Sequence, residues 1–363
     1  MIPLSDLSRL DQDLRHRISS GISGVLESGW FLRGTVTDRL ERRLSDWIGI
    51  QNVVTVGNGT DALVLALLSL GVGPGSRVAT MANAGGYTTG AALRLGAQPV
   101  FVDVDVLDAQ MHPASLEHLL DSSSPPDVVV MTHLYGQVGP IDEIVALCSD
   151  SGVPLIEDCA QAFGARANGR FAGTFGQVGT TSFYPTKNLG AMGDGGAVLT
   201  QSDELASKVS SLAQYGWKER FHVEEAGGLN SRLDEVQAVV LDVLLDSLAE
   251  RNARRREICS RYAASLTEHR RLIGSLDERF IGHLAVVVTE SRDRDRSLLE
   301  DASIQTGVHY PVPDHLQVGW QSALETRELP RTEWLTRRVL TIPCFPELTE
   351  AEVDLICAAL ESL

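Results

Sequence analysis

The spacing of apolar positions changes period many times along the chain, and each change predicts an element. Leu10, Leu14, Ile18, Ile22 and Leu26 recur at near-helical intervals and predict an amphipathic helix over 5–29. A loop at 29–34 carries Trp30 and Phe31, and a second helix is predicted over about 37–48. The short β-prone run 53–56 gives way to Gly57-Asn58-Gly59-Thr60-Asp61 and then to a strongly apolar helix, 62–68. Strands follow at 77–81, 99–104, 127–132, 153–157 and 178–183, with helices between them at about 88–95, 114–120 and 141–150. Such alternation predicts a mostly parallel central sheet covered by helices on both faces. A helix over about 202–215 and a turn at 227–232 lead to a long helix. Its apolar face holds Leu233, Val236, Val240, Val243, Leu244 and Leu248, and it continues through 251–262. The remainder shows one strand-like run, 284–289, and helical patterns at 296–306, 333–340 and 349–360. The predicted fold class is therefore α/β, with a large domain over 1–250 and a smaller C-terminal α+β domain over 251–363. The triplet Arg254-Arg255-Arg256 reads as a solvated helix face with no functional role.

Composition narrows the function classes. The chain has 363 residues and a formal net charge of −17, which argues against a nucleic-acid-binding surface but leaves room for a locally positive pocket. Five scattered cysteines without a CxxC pair predict reduced thiols, and neither a disulfide framework nor a metal site. The N-terminus lacks a charged and apolar leader, and no run approaches the roughly 18 apolar residues of a membrane span. The expectation is a soluble cytoplasmic protein without a membrane partner.

Ligands of open parallel sheets collect outside the carboxyl ends of the strands. The polar residues expected there are Asn83 and Tyr87, His133 and Tyr135, Asp158 and Gln161, and Lys187. Lys187 sits in Ser182-Phe183-Tyr184-Pro185-Thr186-Lys187-Asn188-Leu189-Gly190, between a buried strand and a glycine-rich turn. Burial depresses a lysine pKa, and the neutral amine is the form that makes Schiff bases. The competing reading is a surface lysine in a loop. The strand–glycine–helix passage at 57–62 suits an anion held by free backbone amides, or simply a helix capped by Thr60 or Asp61. Asp158, delivered by an apolar strand, suits either a helix cap or an ion pair with a protonated pyridine nitrogen. A phosphate site, an acid for a pyridine and an amine for an imine together fit pyridoxal 5′-phosphate. His309, Tyr310 and His315 lie in a polar, proline-held loop that suits a substrate wall.

Several stretches also carry a resemblance. These are Gly57-Asn58-Gly59-Thr60-Asp61-Ala62-Leu63, Gly96-Ala97 with Pro99-Val100-Phe101-Val102-Asp103, and His133-Leu134-Tyr135-Gly136. Glu157-Asp158-Cys159-Ala160-Gln161-Ala162, the Lys187 stretch and Asn230-Ser231-Arg232-Leu233-Asp234-Glu235-Val236-Gln237-Ala238 complete the set. Together they resemble the DegT/DnrJ/EryC1/StrS sugar aminotransferases, fold-type I pyridoxal phosphate enzymes with an aspartate aminotransferase-like sheet. The resemblance spans essentially the whole chain. It implies that Lys187 forms the Schiff base and moves the proton, and that Asp158 pairs with the pyridinium nitrogen. It places Gly59, the Thr60 and Asp61 amides and the Ser182 hydroxyl on the cofactor phosphate, and Gln161 near the ring hydroxyl. Asn230 matches a residue that reaches the neighbouring subunit's cofactor, which implies a homodimer with shared sites. The family usually puts an aromatic over the ring at the slot that is Gly85 here, and Tyr87 is the candidate replacement. The implied reaction moves an amine from an amino acid, L-glutamate, to a nucleotide-linked keto sugar. The His309-Tyr310-Pro311 loop resembles that of members acting at C3 of dTDP-3-keto-6-deoxyhexoses, in antibiotic or polysaccharide deoxyaminosugar biosynthesis. A C4 or aminocyclitol aminotransferase, a dehydratase and a cofactor-binding regulator are the alternatives. Lys187 argues against the dehydratases, which have histidine there, and no helix-turn-helix or basic arm accompanies the regulator reading.

Overall fold

A computed structural model describes residues 1–267, 269–325 and 327–363. Helices α1 (Gln12–Ser28) and α2 (Thr35–Ile48) lead into β1 (Asn52–Val56), α3 (Gly59–Ser69), β2 (Arg77–Met81), α4 (Tyr87–Arg94), β3 (Gln98–Val102) and α5 (Pro113–Leu120). Next come β4 (Val128–Thr132), α6 (Ile141–Asp150), β5 (Leu155–Asp158), a small hairpin of β6 (Arg166–Ala167) and β7 (Arg170–Phe171), β8 (Val178–Ser182) and β9 (Gly196–Thr200). Helix α7 (Asp203–Leu212) precedes the hairpin β10 (Trp217–Glu219) and β11 (His222–Val223). The chain closes with α8 (Glu235–Leu244), α9 (Leu248–Ser265), β12 (Arg270–Ile273), β13 (Ala285–Thr289), α10 (Arg292–Asp301), α11 (Pro330–Thr336), β14 (Val339–Ile342) and α12 (Glu350–Glu361).

The central sheet runs β1-β9-β8-β5-β4-β2-β3. Strands β8, β5, β4, β2 and β3 pair in parallel, and β9 is antiparallel to both of its neighbours. Every residue of β4 and β9 is buried, as expected of strands covered on both faces. Helix α3 is apolar all round because it is buried all round, with Ala62 through Leu67 lying in one cluster with Val78, Val130 and Ile156. Parallel pairing brings the ends of β5 and β8 together, with Asp158 beside Thr180 in register, so the polar termini of these strands share one edge.

A second sheet, β12-β13-β14, is wholly antiparallel. Its side chains alternate between two cores. Val286 and Val288 join Met81, Val102 and Met131 of the large sheet. Ala285 and Val287 face Ile258 and Tyr262 of α9 and Val353, Ile356 and Leu360 of α12. Ile2 belongs to this second core too, with its amide on the Ser303 carbonyl at 2.7 Å. No helix among the described residues is long and apolar enough to cross a membrane.

The pattern-based expectations are corrected in several places, among them β12, absent from a C-terminal reading with one strand-like run, and α1, which starts at Gln12. The segment 196–200 is a strand, unannounced because it emerges from a glycine run. The long helix after residue 233 is broken by a 3-10 turn, Leu245–Ser247. The helix expected over 333–340 ends at Thr336, and the β-branched run after it forms β14. Finally, α10 spans 292–301 and not 296–306, because Ile304 and Gly307 bridge to Ile2 and Thr341 in extended form.

Candidate active site

At the carboxyl ends of the parallel strands lies a cavity of about 640 Å³. Of the residues singled out from sequence, Gly59, Thr60, Tyr87, Asp158, Gln161, Ser182, Lys187, His309 and Tyr310 line it. Three do not. Asp61 has its amide on Asn58 Oδ1 at 2.8 Å and its carboxylate 3.4 Å from Arg94. Asn230 is exposed, with Oδ1 accepting from Arg232. His315 turns away, packing on Phe101 with Nε2 at 3.4 Å from Glu333.

The helix cap at 57–61 is Asn58, not Thr60 or Asp61. Since Asn58 already takes the Asp61 amide, the α3 amides left without a partner among the described residues are those of Gly59 and Thr60. A Cβ on Gly59 would stand 2.6 Å from the Ser182 Cβ, so only glycine lets α3 seat directly on the end of β8. That seating brings the free amides, the positive end of the helix dipole and the Ser182 hydroxyl to one spot, a cradle for an anion.

Asp158 is 4% exposed. Its Oδ1 accepts from the Ala160 amide at 3.0 Å and its Oδ2 from the Thr132 hydroxyl at 3.2 Å, and no ion pair is made among the described residues. Burial raises its pKa, against the Ala160 amide and the nearby Lys187 charge. Lys187 is half-buried as a residue, and enclosure pulls its ammonium from 10.5 down to about 8 while the Asp158 charge resists. The neutral amine is thus accessible near physiological pH. His309 donates or accepts at Thr341 Oγ1 across 2.8 Å, and burial with the Lys187 charge lowers its pKa.

Gln161 is held from both ends, its Oε1 accepting from the Tyr135 amide at 2.7 Å and its Nε2 donating to the Tyr310 hydroxyl at 3.0 Å. Tyr310 also answers the glycine at 85. A Cβ on Gly85, which adopts φ +81°, would lie 2.7 Å from the Tyr310 ring. The phenol therefore fills the space that a side chain at 85 would take. Tyr87, 49% exposed, meets Tyr310 edge-on at 6.4 Å between centroids.

Next to Asp158, Glu157 points to the opposite face of β5 and is fully buried. It accepts from the amides of Gly173, Phe175 and Gly176 at 2.6–2.8 Å and pairs with His133 Nε2 at 3.0 Å. With Cys159 these two form a grouping of metal-type donors, but the Glu157 oxygens are already committed to hydrogen bonds.

Sequence reasoning missed Asn58, Tyr184, Thr186, Asp194, Arg255, His283 and Thr341 as lining residues. The miss at Arg255 corrects the solvated-face reading for that one member of the arginine triplet, since Arg255 is 6% exposed. A phosphate cradle, a buried acid awaiting a cationic partner and a lysine of depressed pKa fit pyridoxal 5′-phosphate on this structure's own geometry.

Comparison with known proteins agrees. The family model described as the DegT/DnrJ/EryC1/StrS aminotransferase family matches residues 12–361. A "Pleiotropic regulatory protein" of Geobacillus stearothermophilus is 36% identical over 360 residues, covering 97% of this chain and 95% of that protein. A "UDP-2-acetamido-2-deoxy-3-oxo-D-glucuronate aminotransferase" of Pseudomonas aeruginosa is 35% identical over 362 residues, covering 99% of each. A "dTDP-3-amino-3,4,6-trideoxy-alpha-D-glucose transaminase" of Streptomyces venezuelae is 36% identical over 353 residues, covering 96% of this chain and 92% of that protein. Among solved structures, S. venezuelae DesV in complex with a ketimine intermediate superposes with a TM-score of 0.94 at 35% identity, covering 99% of this chain and 98% of that one.

Proposed function

The chain belongs to the DegT/DnrJ/EryC1/StrS aminotransferase family, whose cofactor is pyridoxal 5′-phosphate, and from that premise we propose that it aminates a keto sugar carried on a nucleotide diphosphate. The donor in this reading is L-glutamate. The acceptor is a 3-keto sugar, with a dTDP-3-keto-6-deoxyhexose as the first choice. Two relatives support the C3 position, since both a 3-oxo UDP-sugar and a 3-amino dTDP-sugar occur in their names.

The carrying observation is the convergence of Lys187 and Asp158 in one cavity with the α3 cradle. Bound there, the cofactor supplies an electron sink for the carbon that exchanges its amine. The residues do the rest. The Gly59 and Thr60 amides with Ser182 hold the phosphate, and Asp158 holds the proton on the pyridine nitrogen. With the cofactor bound, Lys187 would take the proton from the donor carbon, hand it to the cofactor carbon that bears the nitrogen, and run the same transfer in reverse on the acceptor side. Gln161 and Tyr310, linked to each other, fix the wall against which the ring lies.

A cytoplasmic homodimer with shared sites completes the proposal. Asn230 does not reach its own chain's cavity, and it borders an aromatic cluster in which Tyr215 and Phe221 are exposed and Trp217 is half-buried. Sedimentation of the purified protein checks the dimer, and a monomer at micromolar concentration would remove the shared-site reading.

The decisive assay supplies the cofactor-loaded protein with L-glutamate and a panel of UDP- and dTDP-linked 3-keto and 4-keto sugars, with amino-sugar formation read by mass spectrometry. Turnover of a 3-keto sugar that disappears in Lys187→Ala supports the proposal. Cofactor binding without transfer to any acceptor would favour a regulator, the class that the Geobacillus relative's name suggests.

A further inference from the structure

Arg255 has a role that the catalytic set leaves unfilled. Helix α9 buries one stripe, with Leu248, Asn252, Arg255, Ile258, Cys259 and Tyr262 on its inner side. Arg255 therefore occupies a core position of the helix, while Arg254 beside it pairs with Glu257 and Glu350 at the surface. The Arg255 guanidinium has no carboxylate partner among the described residues. Its Nη1 alone is engaged, donating to the carbonyls of Cys344, Gly282 and His283, the last two at 3.4 Å. The adjacent acid, Glu347, is taken by Arg251 at 2.6 Å. Nε and Nη2 carry no hydrogen bond, yet they are not among the sealed, unpartnered polar atoms of the chain. They are open to the cavity that Arg255 lines with His283, Thr341 and Cys344.

An unpaired buried cation is costly unless something answers it. The free edge, Nε with Nη2, is the edge of a guanidinium that takes a carboxylate through two parallel hydrogen bonds. The surroundings fit a singly charged ligand. His283 is kept neutral by burial and by the nearby Lys187 and Arg255 charges, and Cys344 offers its carbonyl to Arg255. One cation in a neutral lobe matches a carboxylate better than a diphosphate. The lobe is also adjacent to the chemistry, because His283 Nδ1 lies 2.9 Å from Oδ1 of Asn188, the residue after Lys187.

We propose that Arg255 is the carboxylate receptor of this site, holding a carboxylate of the amino-acid donor and of its keto-acid product through the free Nε–Nη2 edge. The inference rests on the aminotransferase reading, and its test separates the two. The cofactor-loaded wild type, Arg255→Gln and Arg255→Lys are mixed with L-glutamate, and the single-turnover spectral change is followed. Glutarate, which has the carboxylates but no amine, is titrated into the same proteins by calorimetry. Loss of one charge-assisted pair predicts a rise of about tenfold or more in half-saturating L-glutamate and in the glutarate dissociation constant for Arg255→Gln. The limiting rate at saturating donor should fall by a smaller factor. Arg255→Lys keeps the charge inside its carbonyl cage and carries the test should Arg255→Gln not fold. It should weaken glutarate by at least fivefold, for want of the fork. Changes below fivefold in every folded variant would overturn the role of Arg255 and leave the aminotransferase reading intact. A wild type that responds to no amino acid would overturn the aminotransferase reading itself.

Discussion

The state of Lys187 can be measured directly, because the chain contains only three lysines, Lys187, Lys208 and Lys218. Enclosure in the cavity lowers its pKa from 10.5 to about 8, with the Asp158 charge opposing the shift. That displacement is worth roughly 3 kcal/mol at most. At pH 7 about one Lys187 amine in ten is then neutral, against about one in three thousand for an unperturbed lysine. Reductive methylation with ¹³C-formaldehyde gives each lysine its own resonance, and the Lys187→Met variant assigns the one in question. In protein freed of cofactor, that resonance should titrate near 8. Asp158→Asn removes the charge that favours the ammonium and should move the midpoint lower still. The sign extends to stability. A base whose folded pKa is depressed carries its full penalty below about 8, and the penalty is relieved as pH rises towards 10.5, where the unfolded lysine also loses its proton. A midpoint near 10, or an upward move in Asp158→Asn, would refute the claim that burial poises this amine.

Two further outcomes follow from buried acids on either side of the site. Glu157→Ala strands three loop amides and His133, so roughly 3–5 kcal/mol of stability should be lost, read as a lower urea midpoint, and a loss under about 1 kcal/mol would contradict this account. Burial raises the Glu157 pKa, but the His133 and amide contacts outweigh it and lower the net value, so its contribution persists above the ordinary glutamate range and fades as pH falls through the lowered value. Asp314 has the opposite sign. Burial lifts it to about 7 despite the Thr89 hydroxyl and the Gly86 amide, so its favourable contribution is complete below about 4 and lost as pH rises through 7. Asp314→Asn should flatten the dependence of Tm on pH between about 4 and 7, and an unchanged slope would count against it.

The parts of the fold legible in sequence were those with a local signature. Alternating apolar strands and helices announce a parallel sheet, and Lys187, Asp158 and the glycine turn before α3 each sit where a strand must end. The unread parts had a local signal masked by a stronger one, or depend on contacts between distant segments. Within Arg254-Arg255-Arg256 only Arg255 shares the helical stripe of Leu248, Ile258, Cys259 and Tyr262, a signal overridden by the charge of the triplet. Likewise β9 goes unread because it emerges directly from the glycine-rich run 190–196, which hides its start. The loop carrying His309, Tyr310 and His315 reads as a single wall, yet the chain turns between them. His309 and Tyr310 line the cavity, while His315 is drawn to Glu333 and Phe101. The even choice between capped helix and anion site at 57–62 dissolved, since Asn58 caps α3 and leaves the Gly59 and Thr60 amides free.

The contact between Gly85 and Tyr310 ties together two loci far apart in sequence: a Cβ added at 85 would meet the outer edge of the Tyr310 ring at 2.7 Å, so a side chain there requires the phenol to swing aside. A graft of the Lys187 neighbourhood onto another scaffold that copies only the large sheet would carry half of a wall.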